Sequence, residues 1–230
     1  MDPTRIIDPT RPADRSPRQV WYTAYGSNTH LDRLSYYLAG GRPPGASRTY
    51  PGSRDRRAPS ASVPVELAGA LYFATLSPVW RGGRAFYDPD VPGRVLARAH
   101  LVTAGQFSDI TAQEMYRDPG RDLDLTDVLS RGSALLGNGR YERLVCLGTV
   151  DGVPVLTFTA PWGMGDVVWE KPSAAYLRHL SAGLLQAGAW KPTDIAAYVA
   201  ACPGAAGHWT ARDVAGLMTP WTRGPASASG

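Results

Sequence analysis

The sequence is poor in cysteine, histidine and charge. Two cysteines, Cys146 and Cys202, make neither a disulfide framework nor a metal-ligand pattern. The four histidines, His30, His100, His179 and His208, are scattered, with no H-E-x-x-H pair among them. This argues against a bound metal. Charged residues are only 19% of the chain, and the net charge is +4. That excess is too mild, and too free of RNA or DNA motifs, to predict a nucleic-acid partner. Aromatic residues do not alternate with Lys and Arg as a stacking groove requires. No apolar run is long enough to span a bilayer, so no membrane association is expected. The first 18 residues lack an apolar leader core, and the expectation is a cytoplasmic protein. Also absent are a G-x-x-x-x-G-K-[ST] loop, a strand-linked G-x-G-x-x-G, and a G-x-S-x-G around Ser27. Nothing in the residues speaks to oligomeric state.

What is abundant is glycine (25), proline (20) and apolar side chains (43%). These predict one substantial core with many turns. Residues 1–18 are Asp-, Pro- and Arg-rich and read as a disordered or loosely docked arm. Residues 19–222 read as a single domain, and 223–230 as a tail. The stretch 40–64, rich in Gly, Pro, Ser and Arg, reads as a long loop, functional or mobile.

Local patterns give the elements. Gln19–Tyr25 is β-forming and stops abruptly at Gly26-Ser27-Asn28. Leu31, Leu34 and Leu38 then recur at helical spacing. Strands are predicted over Glu66–Thr75 and Arg84–Tyr87. Val95, Ala97, Ala99 and Leu101 alternate with more polar neighbours, which predicts a strand with one apolar face. A helix starts near Ser108. Asp151-Gly152 between two β-forming runs marks a hairpin. Pro172-Ser173 opens a helix over Ala174–Ala187, stopped by Gly188, and shorter helices follow over Thr193–Ala201 and Thr210–Met218. The class is α+β, a small mixed β-barrel or sheet with packed helices.

Two features can carry chemistry. In Tyr25-Gly26-Ser27-Asn28, a strand turns directly into a helix. Gly26 permits a tight turn or close approach to a ligand, and backbone N–H groups at such a turn attract anions. The competing reading is a capped turn. Glu114 shares a stripe with Phe107 and Ile110, which places a carboxylate on an apolar face. Its competing reading is a capping box with Thr111. Arg84, or an arginine of the 42–57 stretch, suits a substrate carboxylate, although most arginines are simply solvated. Tyr25 offers a hydroxyl, although a strand-end aromatic is usually core.

Taken in order, four segments resemble the gamma-glutamyl cyclotransferase-like family: Tyr25–Asn28; Gly82-Gly83-Arg84-Ala85; Val95–Thr103 running into Gln106–Glu114; and Glu170-Lys171-Pro172-Ser173 followed by Tyr176, Leu177 and Gly183. The resemblance spans roughly residues 19–200. It implies an enzyme that converts a gamma-glutamyl amine or amino acid to 5-oxoproline and the free amine, without metal or organic cofactor. It implies Glu114 as the catalytic carboxylate, and Tyr25, Gly26, Ser27, Asn28 and Arg84 as contacts for a small-molecule gamma-glutamyl substrate. Met115 and Thr29 depart from the residues usual after the two motifs, and either change can reshape the pocket. Two alternatives stay open: removal of a gamma-glutamyl group from a biosynthetic intermediate, and a non-catalytic small-molecule-binding protein on the same scaffold.

Overall fold

A computed structural model describes residues 4–10, 16–43 and 48–218. The order is β1 (Gln19–Ala24), a 3-10 turn (Ser27–Thr29), α1 (Leu31–Leu38), β2 (Ala61–Ala68), β3 (Ala70–Ser77), β4 (Gly82–Asp88), β5 (Arg94–Thr103) and α2 (Ala104–Glu114). There follow α3 (Thr126–Arg131), β6 (Ser133–Leu135), β7 (Arg143–Val150), β8 (Val153–Thr159), α4 (Ala174–Ala187), α5 (Pro192–Ala201) and α6 (Ala211–Met218).

Six strands form one mixed sheet in the order β2-β5-β1-β8-β7-β6, while β3 and β4 form a separate ribbon. The sheet is open, with β2 and β6 at its edges, so the architecture is the expected α+β class without barrel closure. β1 is central, antiparallel to β5 and parallel to β8. Thr159 ties the ribbon to the sheet, since its hydroxyl donates to the Tyr87 carbonyl (2.6 Å) and accepts from the Tyr87 N–H (3.0 Å).

Period-2 alternation in β1 feeds two cores. Val20 and Tyr22 join Leu34, Phe107, Ile110, Leu156 and Phe158. Trp21 joins Val95, Ala97, Ala99, Leu177, Leu180 and Val199. Complete burial of Phe107 and Ile110 contributes about 1.5–3 kcal/mol each. It also fixes the rotation of α2, and with it the direction of Glu114.

Several expectations need correction. The run Glu66–Thr75 is two strands, because Gly69 breaks it at φ +124°, where a side chain would meet the Asp88 carbonyl. The 40–64 stretch is partly regular: Gly41 pairs with Tyr50, and β2 already starts at Ala61. Residues 1–18 are not all free of structure. The Arg5 N–H donates to the Pro64 carbonyl (3.0 Å), and Asp8 and Thr149 exchange backbone hydrogen bonds (2.8 and 2.9 Å). Bare sheet-edge groups at β2 and β7 recruit this arm despite its poor apolar content. Beyond what the alternation predicted, Arg98 and His100 on the second face of β5 are buried as well. The second helix begins at Ala104, four residues earlier than Ser108. The 223–230 tail lies outside the described residues. No helix among the described residues is long and apolar enough to cross a membrane.

Candidate active site

The turn after β1 closes with the Thr29 N–H on the Gly26 carbonyl (3.1 Å) and the His30 N–H on the Ser27 carbonyl (3.3 Å). Gly26 is packed closely: a Cβ there would lie 2.8 Å from the Tyr176 hydroxyl, so the turn or the ring would have to shift. That hydroxyl accepts from the Ala85 N–H (3.2 Å), and burial pushes its pKa up to about 12.

Asn28 is the hinge of the site. Its side-chain amide donates to Glu114 Oε1 at 2.9 Å and lies 3.2 Å from the Tyr22 hydroxyl. Its backbone carbonyl accepts from His100 Nε2 at 3.1 Å. A carbonyl only accepts, so Nε2 carries the proton, and Nδ1 accepts from the Ser62 hydroxyl at 2.8 Å. Burial, aided by the Arg98 charge, drives the His100 pKa down to about 3. A neutral, doubly bonded imidazole thus sets the backbone that aims Asn28 at Glu114.

Glu114 is the last residue of α2 and is half-buried. The helix is capped elsewhere: Thr103 Oγ1 accepts from the Gln106 N–H, and the Gln106 side chain bonds back to the Thr103 N–H. Thr111 is mid-helix and donates to the Phe107 carbonyl (2.8 Å). The capping-box reading of Thr111 and Glu114 therefore does not hold, and the carboxylate is left for the pocket.

That pocket is a narrow cleft with a cavity volume of about 60 Å³, open to solvent at its mouth. Tyr25, Gly26, Ser27, Asn28, Arg84 and Glu114 all line it. Two of these have prior commitments. Tyr25 donates its hydroxyl to the Phe158 carbonyl (2.8 Å), so its ring forms wall. Arg84 is nearly enclosed; its Nη2 donates to the Leu76 carbonyl (2.7 Å), and its Nε has no partner.

Of the other lining groups, Arg48 falls within the 42–57 stretch whose arginines the sequence had pointed to, whereas Arg33, Tyr116 and Tyr141 were not singled out. Arg33 of α1 is 5% exposed; among the described residues no carboxylate lies within ion-pair distance, and its Nη2 donates to the Tyr37 (3.5 Å) and Tyr50 hydroxyls. It sits over Tyr37, Tyr50 and Trp80 (5.1, 4.6 and 5.6 Å to the ring centres). Cation–π contacts of about 0.5–2 kcal/mol each, the two tyrosine hydroxyls and the Glu114 charge offset the cost of burying this cation, and its pKa is raised. The i, i+4 spacing of Arg33 and Tyr37 is the sequence signal that such a pair shares a face. Arg48, within the long loop, stacks on Tyr50 and Tyr116 and donates to the Gln113 carbonyl (3.0 Å). The same loop is anchored to α2, since Arg54 pairs with buried Asp109 (3.0 Å). Tyr116 and Tyr141, both lining residues, hold φ of +59° and +64°. Non-glycine residues in that region concentrate where a site dictates the backbone.

Fold and site together define an α+β protein with one carboxylate facing a glycine-containing turn across an arginine- and tyrosine-lined pocket. No protein-family model matches the chain. Over 207 residues it is 29% identical to histone deacetylase 5 of Arabidopsis thaliana, a match covering 81% of this chain and 31% of that protein. The chain therefore corresponds to under a third of that relative's length. Among solved structures, a gamma-glutamyl cyclotransferase superposes with a TM-score of 0.42 at 15% identity, over 74% of this chain and 80% of that one. An uncharacterized protein from Homo sapiens gives 0.44 at 16% identity, over 74% and 81%.

Proposed function

We propose that this protein is an enzyme that cyclises a gamma-glutamyl unit to 5-oxoproline and releases the attached amine. The observation that carries the reading is the 2.9 Å hydrogen bond between Asn28 and Glu114. It joins the turn and the carboxylate across 86 residues of sequence.

The reaction is intramolecular and redox-neutral. The substrate's α-ammonium must lose a proton before its nitrogen can attack the γ-carbonyl carbon. One C–N bond forms to close the ring, and the original amide C–N bond breaks. Two hydrogens pass from the α-nitrogen to the leaving nitrogen, with no net proton exchange. A single carboxylate that accepts and then returns a proton serves both transfers, and Glu114 takes that role. The Asn28 amide holds the carboxylate in place. The Gly26–Asn28 turn provides donors for the oxyanion that develops on the γ-carbonyl oxygen. Arg84 pairs with the substrate α-carboxylate. The aromatic walls favour the folded substrate in which nitrogen meets carbon.

The test is 5-oxoproline release by wild type and Glu114→Gln over a panel of gamma-glutamyl amines, dipeptides and glutathione. Glu114→Gln should fold normally and lose about 10²–10⁴-fold in turnover. Undiminished product from that variant removes Glu114 from the mechanism. Turnover of only one bulky gamma-glutamyl amine would instead favour removal of a protecting group from a biosynthetic intermediate.

A further inference from the structure

The cleft is too small for the ligand it is lined to take. Its cavity volume of about 60 Å³ holds about two waters, whereas small-molecule sites run to about 300–1,000 Å³. A wall must therefore withdraw before a substrate enters. The β3–β4 ribbon is the wall that stands outside the main sheet, and its tip supplies Ser77, Val79 and Trp80 to the lining. The body of the ribbon is anchored. The Phe73 N–H donates to the Pro203 carbonyl (2.8 Å), the Glu170 N–H to the Phe73 carbonyl (2.9 Å) and the Gly83 N–H to the Lys171 carbonyl (2.8 Å). None of the described backbone hydrogen bonds ties residues 76–81 to an element outside the ribbon. Thr75 and Arg81, at the two ends of that tip, both hold φ of +53°, and the ladder slips between Ala74 and Leu76. A β-branched residue in the left-handed region is strained, and such strain gathers at clamps and switches. Two contacts hold the tip down. Arg84 Nη2 donates to the Leu76 carbonyl (2.7 Å). The Trp80 ring lies edge-on to Tyr176 and His179 of α4 (5.1 and 5.2 Å between ring centres), with the Arg33 guanidinium 5.6 Å away.

We propose that the tip Leu76–Arg81 is a lid, hinged at Thr75 and Arg81 and latched by Trp80 on α4, which lifts to admit substrate and closes over it. The structure is the closed form. Trp80 is half-buried and packs on the core from outside, so releasing its ring uncovers less apolar surface than releasing a fully buried lining ring. Arg84 links the lid to the ligand. Its Nη2 holds Leu76, while its buried Nε has no acceptor and is free to donate to an anion. A carboxylate bound there fixes the guanidinium and, through it, the Leu76 carbonyl, which favours the closed lid. Closure then keeps water from the reacting groups. The lid stands apart from the gamma-glutamyl reading; only the identity of the carboxylate that closes it rests on that reading.

The experiment replaces the seven tryptophans of the full chain with 5-fluorotryptophan and reads fluorine relaxation dispersion by NMR. Trp80 is assigned by the signal missing from Trp80→Phe. Trp80 should show exchange on the microsecond-to-millisecond scale, and buried Trp21 none. Adding gamma-glutamyl-alanine to Glu114→Gln, where turnover is blocked, should abolish the exchange at Trp80. A flat Trp80 profile in the free protein overturns the lid. Equal exchange at Trp21 does the same, because it marks motion of the whole fold. So does Trp80 exchange that is unchanged by gamma-glutamyl-alanine shown by calorimetry to be bound. Exchange at Trp80 alone, with no binding and no 5-oxoproline from wild type, leaves the lid standing without the reaction. Release of 5-oxoproline with a static Trp80 leaves the reaction standing without the lid.

Discussion

Asn28 is held from two directions, and the two bonds have different jobs. Its side chain restrains Glu114, whereas its carbonyl is fixed by His100. Asn28→Ala removes the first and leaves the second. We expect this variant to keep near-native stability and to lose about tenfold or more in kcat, with a smaller change in KM, measured by steady-state kinetics on the preferred gamma-glutamyl substrate. A variant equal to wild type in both constants would show that Glu114 needs no restraint. Gly26 poses a different question. A methyl group there would press on the Tyr176 hydroxyl, and Tyr176 is packed against Phe73 and Trp80. Gly26→Ala should cost about 1–3 kcal/mol in denaturant unfolding. Tyr176→Phe removes the clashing oxygen, so the double variant should lose less than the sum of the two single changes. Strict additivity would mean that the turn yields rather than the ring.

At the scale of elements, glycines decide how closely the pieces approach. Gly183 lies inside α4, where alanine is normally better by about 1 kcal/mol. Here an added Cβ would run into the Thr29 and His30 backbone, 2.5 Å from the Thr29 carbonyl carbon. The contact wins over propensity, because neither backbone can move without unseating the turn. Gly183→Ala should therefore destabilise by about 2 kcal/mol or more in thermal or urea unfolding, with reduced turnover in the folded fraction. A stabilised variant would refute this account of the α4–turn interface. Gly82 and Gly83 act alike: β4 lies so close to 170–173 that the Gly83 N–H donates to the Lys171 carbonyl (2.8 Å). The second and fourth segments of the family resemblance are thus one contact. Gly-Gly permits the approach that brings Ser173 to the head of α4, where its hydroxyl accepts from the Tyr176 N–H.

At the scale of the whole molecule, two histidines are kept neutral inside the fold. Burial first, then Arg98 for His100 and His30, Arg33 and Arg178 for His179, lower the two to about 3 and about 4. Both are protonated near pH 6.5 once unfolded. Their contribution to stability is complete above pH 6.5 and is lost as pH falls toward 4 and then 3. For His100 the loss approaches about 1.4 kcal/mol per pH unit. Urea midpoints should therefore fall steadily from pH 6.5 to 4, and His100→Gln should show a shallower slope. A flat wild-type profile across that window would mean that His100 titrates normally in the fold.

Some of this was legible in the residues and some was not. The turn after β1, the α2 stripe, the Asp151-Gly152 hairpin and the α4 stop at Gly188 depend on neighbours within a few positions, and the sequence by itself determined them. Gly188 is left-handed at φ +78°, as a helix-ending glycine requires. The short α3 and β6 carry too few residues for a period to show. The burial of Arg98 and His100 was not legible, because alternation cannot say what will cover a strand; Thr29 and Gln186 meet Arg98, and Asn28 meets His100. The pocket was legible in part: the resemblance named Tyr25, Gly26, Ser27, Asn28, Arg84 and Glu114, which line it, but not Arg33 or Tyr141. Glu114, Arg33, Arg48 and Tyr141 come from separate segments, and each is ambiguous alone. Only the tertiary structure decided that they meet, because burial, which sets both the cost of an unpaired charge and the neutrality of a histidine, belongs to the packed molecule and not to any stretch of chain.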